Sequence, residues 1–169
     1  MNPSRWQCTL LLAAGLALLP FLRAETLVDD SGRFTVNIAA PFERNTRDVE
    51  TAAGKTKLFL LIHATETAGY FVGYNDYAPG SFDRASLYER VIKGVAESVQ
   101  GNVRSRNDHQ LGDVSGREYL IDIAKGNQVA RVRCYLVGDR LYQVMYLGPA
   151  GSEGRDEVLQ FFNSFHLLR

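Results

Sequence analysis

The stretch that most constrains this chain runs from Gly116 to Gly148, GREYLIDIAKGNQVARVRCYLVGDRLYQVMYLG. Two dipeptides, Gly126-Asn127 and Gly138-Asp139, divide it into three runs rich in β-branched and aromatic residues. Gly followed by Asn or Asp suits a two-residue hairpin turn, where one or both central positions need positive φ. The segment therefore reads as a meander of three antiparallel strands. Counting outward from the first turn places Lys125 opposite Gln128, Ile123 opposite Ala130, Asp122 opposite Arg131 and Ile121 opposite Val132. From the second turn, Val137 faces Arg140, Leu136 faces Leu141, Tyr135 faces Tyr142 and Cys134 faces Gln143.

Side chains alternate across a strand, so this register sorts them onto two faces. One face holds Tyr119, Ile121, Ile123, Ala130, Val132, Cys134, Leu136, Leu141, Met145 and Leu147, nearly all apolar. That face must be core. The other holds Glu118, Leu120, Asp122, Arg131, Arg133, Tyr135, Val137, Tyr142, Val144 and Tyr146. Its mixture of charge, tyrosine and valine predicts partial cover only.

The first 24 residues stand apart. Arg5 precedes an apolar run from Cys8 to Leu22, and Leu22-Arg23-Ala24 offers a small residue for cleavage. This is the pattern of a secretory signal peptide, too short for a comfortable membrane span. A retained N-terminal anchor is the alternative. With cleavage after Ala24, residues 25–169 form one domain of ordinary size, large enough to bury a core without staples. Its expected location is the periplasm or the outside of the cell. Arg5 and Arg23 leave with the signal, so the 19 basic residues become 17 against 19 acidic ones. A net charge near −2 offers no electrostatic argument for nucleic acid or an anionic membrane. Cys8 leaves as well, and Cys134 on the apolar face reads as a small buried hydrophobe without a disulfide partner.

The rest of the chain fills in around the meander. TLVDDSGRFTVNIAAP reads as two short strands about a turn at Asp30-Ser31-Gly32, ended by Pro41. Thr46–Thr51 reads as a weak edge strand, followed by a turn at Ala53-Gly54. The continuous apolar run Leu58–Thr65 reads as a strand covered on both faces, and Tyr70–Tyr77 as its neighbour. Ser81 is placed to cap a helix whose stripe is Tyr88, Val91, Ile92, Val95 and Val99, stopped by Gly101-Asn102. Residues 103–115 read as a strand and a loop. Val158, Phe161, Phe162 and Phe165 predict a second amphipathic helix beginning near Ser152, with Glu153, Asp156 and Glu157 in its first turn. Hairpin connections dominate this order, so the class is α+β with a largely antiparallel central sheet flanked by helices.

No motif of an enzyme or metal site emerges. His63, His109 and His166 fall in different elements, none at ligand spacing with another His or Cys. GDVSG at Gly112–Gly116 holds a Gly-flanked serine, but no strand-turn-helix follows to expose Ser115 as a nucleophile. No cofactor is implied. The candidate contact residues are Arg131, Arg133, Tyr135, Tyr142 and Tyr146 of the mixed face, which offer cation and hydroxyl donors to an anionic or peptidic ligand. The loops at 78–81 and 148–152 adjoin them. The competing account pairs Arg131 with Asp122, sets Glu118 near Arg133, and packs the tyrosines beneath the C-terminal helix.

Several segments together resemble one family. They are Phe-x-Val-x-Ile followed by Pro (Phe34 to Pro41), Gly116-Arg117-Glu118-Tyr119, the run from Arg131 to Tyr142, and Phe-Phe-x-Ser-Phe (Phe161 to Phe165). The chain is similar in these to small exported bacterial proteins of the PsbP-like superfamily, which includes an extrinsic subunit of photosystem II and a Ran-binding nuclear-transport cofactor. The resemblance implies a PsbP-like α/β/α sandwich and a non-enzymatic accessory or binding role. No partner- or metal-binding motif of those members matches here residue by residue. The expected function is a non-catalytic exported binding or assembly-accessory protein of the bacterial envelope. Its expected partner is a protein or envelope component, with no stable membrane span after cleavage; the oligomeric state is left open. The alternatives are a periplasmic hydrolase using Ser115 or a His with a carboxylate, and a binder of a small apolar ligand held between helix and sheet.

Overall fold

The computed structural model describes residues 25–51 and 54–168; the segment read as a signal peptide and the Ala53 half of the Ala53-Gly54 turn lie outside them. Among the described residues the order is β1 (Glu25–Asp29), β2 (Phe34–Ile38), β3 (Glu43–Thr51), β4 (Gly54–Ala64), β5 (Gly69–Asp76), α1 (Arg84–Ser98), β6 (Asn102–Leu111), β7 (Val114–Ile123), β8 (Gln128–Val137), β9 (Arg140–Pro149), α2 (Asp156–Asn163) and β10 (His166–Leu167). All ladders among them are antiparallel. A seven-stranded sheet runs β3-β4-β5-β9-β8-β7-β6, and a three-stranded one runs β1-β2-β10. The expected three-strand meander is thus extended by β6, because the polar stretch before Gly116 pairs with β7 along its length apart from a bulge at Arg104. Its last strand, β9, also takes β5 on its outer side, which joins the N-terminal strands to the meander.

The second hairpin has the expected register, Tyr135 opposite Tyr142 and Val137 opposite Arg140. The first is displaced by two residues. Ile123, not Lys125, pairs with Gln128, so Arg131 lies opposite Leu120 rather than Asp122. Ala124 to Asn127 form a four-residue loop in which the Asn127 amide donates to the Ala124 carbonyl at 3.4 Å. Gly126 and Asn127 do take positive φ, 82° and 48°, but the turn centres one residue earlier than a two-residue hairpin. The Asn127 carbonyl in turn accepts from the Ala150 amide beyond β9 at 2.9 Å, so the third strand helps hold the wider loop. A shift of one would exchange the faces; a shift of two preserves them. Asp122 finds Arg104 instead, at 3.1 Å.

Two buried clusters occupy the two faces of the large sheet. On the expected apolar face, Tyr119, Ile121, Val132, Cys134 and Leu141 pack with Leu87, Ile92 and Ala96 of α1. On the mixed face, Tyr135, Tyr142, Val144 and Tyr146 pack with Phe34, Val36 and Ile38 of β2 and Val158, Phe161 and Phe162 of α2. The second layer is therefore a helix together with a small sheet. Phe165 lies beyond the C-cap Ser164 yet is 1% exposed within this cluster.

Both helix starts differ from expectation. The N-cap of α1 is Asp83, whose carboxylate accepts from the Ser86 amide at 2.8 Å, rather than Ser81. A carboxylate there meets an orphan N–H and the positive end of the helix together. α2 begins at Asp156, with Ser152 and Glu153 left in the preceding turn, where Glu153 pairs with Arg104 at 2.5 Å. At the end of α1 the positive φ falls on Gln100, not Gly101.

Candidate functional site

The five residues singled out on the mixed face are brought together, but under cover. Arg133, Tyr135, Tyr142 and Tyr146 are buried, at 7%, 1%, 3% and 3% exposure, and the Arg131 side chain is 14% exposed. Each has an internal partner. The Tyr142 hydroxyl donates to the Gly32 carbonyl at 2.8 Å, Tyr146 shares a hydrogen bond with Ser152 Oγ at 2.7 Å, and Tyr135 meets His109 Nδ1 at 2.9 Å. Tyr135 stacks on Phe165 with ring centroids 6.1 Å apart. The expectation of an accessible contact face is corrected on this burial: α2, Phe165 and β2 cover it, as the competing account required. Tyrosine on a strand with its hydroxyl satisfied is packing here.

The charges on this face close on themselves. Arg131 Nε and Nη2 reach Glu118 Oε2 at 3.0 and 2.8 Å, and Arg133 Nε reaches the same oxygen at 2.6 Å. Arg131 Nη1 continues to the Glu153 carbonyl at 2.8 Å. Both guanidinium groups lie over the Phe162 ring, 5.2 and 4.9 Å from its centroid, a cation–π arrangement. Burial alone would raise the Glu118 carboxyl, but the hydrogen bonds and charges of the two arginines outweigh it and hold it below the usual range. Burial, then the nearby Arg133 charge, pushes the His109 ring down from its ordinary value.

The histidines and Ser115 do not assemble a hydrolytic centre in this geometry. His63 Nδ1 bonds to the Pro41 carbonyl at 2.8 Å. His109 pairs across the ladder with Gly116, whereas Ser115 pairs with Gln110. Alternation therefore puts His109 on the α2 side and Ser115 on the α1 side. Ser115 Oγ accepts from the Gln110 amide at 3.0 Å. Cys134 is a free thiol, fully buried, and burial pushes its pKa up to about 12.

What sequence reasoning missed is an open strip on the α1 side. Leu58, Leu60 and Ile62 of β4 and Phe71 of β5 share the face of Met145 and Leu147, and all six are half-buried. The apolar run Leu58–Thr65 was expected to be covered on both faces. Only its α2 side is, with Leu61 at 3% and His63 at 6% exposure. The cluster beneath α1 draws on β7, β8 and β9 with Tyr77, and β4 lies beyond it. Helix length and sheet width together carry this information, and neither is visible in the alternation of one strand.

No protein-family model matches the chain, and no curated protein matches it by sequence. Solved structures do. The solution structure of cyanobacterial PsbP (CyanoP) from Synechocystis sp. PCC 6803 superposes with a TM-score of 0.59 at 9% identity, over 92% of this chain and 98% of that one. A Bacteroides thetaiotaomicron VPI-5482 protein superposes at 0.51, also with 9% identity, over 87% of this chain and 49% of that one. This chain thus spans about half the length of the latter. The match to CyanoP runs nearly end to end, over 92% of this chain and 98% of that one: this chain has a PsbP-like fold.

Proposed function

We propose that this is a non-catalytic, exported binding or assembly-accessory protein of the bacterial cell envelope, acting on a protein or envelope component. One observation carries the reading: the fold is PsbP-like along almost the whole of a PsbP chain, in line with the accessory or binding role that the resemblance implies. The local geometry adds to it. Ser115 and His109 face opposite sides of the sheet, which weighs against the hydrolase alternative. The leader-like pattern of residues 1–24 supports export to the periplasm or beyond. With the mixed face committed to core, the contact falls on exposed surface: the open strip on the α1 side, or loops 78–81 and 148–152.

In-cell photocrosslinking from positions on the strip and on the two loops tests this, with the processed N-terminus sequenced in parallel. A mature chain beginning at Glu25 and a discrete, reproducible crosslinked species support the reading. A cytoplasmic, unprocessed chain, or crosslinks to nothing above background, overturns it.

A further inference from the structure

A groove of about 500 Å³ runs between α1 and the β3–β5 side of the sheet. Its walls are apolar: Leu87, Val91 and Val95 from the helix, Leu58 and Tyr77 from the sheet side. Two side-chain amides interrupt them, Asn75 and Gln143. The ladder sets Gly73 opposite Gln143 and Asn75 opposite Leu141, so the two amides stand diagonally adjacent on the α1 face. Asn75 is 3% exposed as a residue, Gln143 is half-buried, and both line the groove. Both amides border the open space of the groove, where a bound molecule can meet their donors and acceptors. Apolar walls with a few convergent polar groups, at a volume of several hundred Å³, are the usual form of a small-ligand site.

The head group follows from the same residues. Asn and Gln each present a donor and an acceptor, so the matched head also presents both. Arg90 and Glu50 line the groove as well, one of each sign, so no net charge is selected. We propose that this groove binds a small uncharged amphiphile, with its apolar body between α1 and the sheet and a carboxamide-like head on Asn75 and Gln143. This inference stands apart from the accessory reading and from any protein partner.

Gly94 provides the test. It lines the groove, and a Cβ built there meets no atom within 4 Å, so Gly94→Leu fills ligand space rather than protein. Octanamide and octanoate, the same chain with a neutral and a charged head, are titrated into the full chain and followed by amide NMR. Saturable shifts confined to α1 and the groove-lining parts of β3, β4, β5 and β9 are expected, with octanamide about ten-fold tighter than octanoate, the worth of one to two hydrogen bonds. Gly94→Leu should lose saturable binding with a melting temperature that is not lowered, and Asn75→Leu should bind both probes alike. Should Asn75→Leu fail to fold, Gln143→Leu serves the same purpose. Absence of saturable shifts, equal affinity of the two probes for the wild type, or binding undiminished in Gly94→Leu overturns the proposal.

Discussion

Glu118 lies directly across the β7–β8 ladder from Arg133 and accepts its Nε at 2.6 Å. The same carboxylate oxygen serves Arg131, two residues back on the same strand and the same face. One buried anion therefore holds two cations beneath the ring of Phe162, and the excess charge is answered by backbone and amide oxygens of the α2 region. Three ionised groups taken out of water are tolerable only while every partner is present.

Replacing Glu118 by Gln keeps the shape and deletes the charge. Both guanidinium groups then remain under α2 without an anion, and the loss of stability should be about 3 kcal/mol. Chemical denaturation measures it. A loss below about 1 kcal/mol, the worth of an exposed pair, would mean that the cluster is solvated despite its 14% and 8% side-chain exposures.

Acid should weaken the fold in two stages. The His109 ring is depressed in the folded state, so the unfolded chain takes up its proton first. That contribution is complete above the unfolded value of about 6.5 and is lost as pH falls towards the folded one. Glu118 is depressed as well; its contribution is complete above about 4.5 and is lost below it. Melting temperature against pH should lose its upper step in His109→Gln and its lower one in Glu118→Gln. Profiles parallel to the wild type would refute the assignment.

The two faces of the meander were legible because a period of two survives any even error in register. Leu136 opposite Leu141 came out directly, since the Gly138-Asp139 turn does have two residues. Asp122 opposite Arg131 failed because the four-residue loop at Ala124–Asn127 is braced by a backbone bond from Ala150, a residue just beyond β9 and distant in sequence. The contact face failed for a related reason. Arg133 and Tyr142 are residues favoured at interfaces, but also at the junction of a sheet with a covering helix. Residue type alone does not separate the two. The small β1-β2-β10 sheet that helps cover this face is completed by the two residues His166 and Leu167 pairing back onto β2, too short a run to carry a periodic signal.

Gly116 should be irreplaceable. A Cβ there would lie 2.4 Å from the Cys134 carbonyl oxygen and 2.4 Å from the Tyr135 ring, which passes beneath it to reach His109. Backbone on one side leaves no room to yield, so Gly116→Ala should cost about 3 kcal/mol or more. A variant with a wild-type denaturation midpoint would show that the ring has another place to go.

Cys134 should react slowly with thiol reagents under native conditions. It has no exposed surface, and burial pushes the thiol to about 12, so thiolate is scarce. Labelling should follow the unfolding rate and quicken in denaturant. Rapid stoichiometric modification of the native protein would contradict the packing of α1 over β8.

The last test compares neighbours on one strand. Leu60 and Leu61 are consecutive in β4, so they point to opposite faces. Leu61 pairs with Val72 and is 3% exposed in the cluster beneath α2 and β2. Leu60 leans over Gly73, its side chain 3.1 Å from where a Cβ would stand, on the half-open strip beside α1. Truncation of Leu61 to Ala should leave a cavity among fixed neighbours and cost about 3 kcal/mol, whereas Leu60→Ala removes a side chain water already reaches and should cost about 1 kcal/mol. Leu60→Asp separates the possible roles of that face further. If the strip is bare in the free protein, the charge is tolerated and the melting temperature changes little, while any crosslink from the strip is lost. If Leu60→Asp unfolds the chain as Leu61→Asp should, the strip is core in solution, and the contact must be sought at loops 78–81 and 148–152.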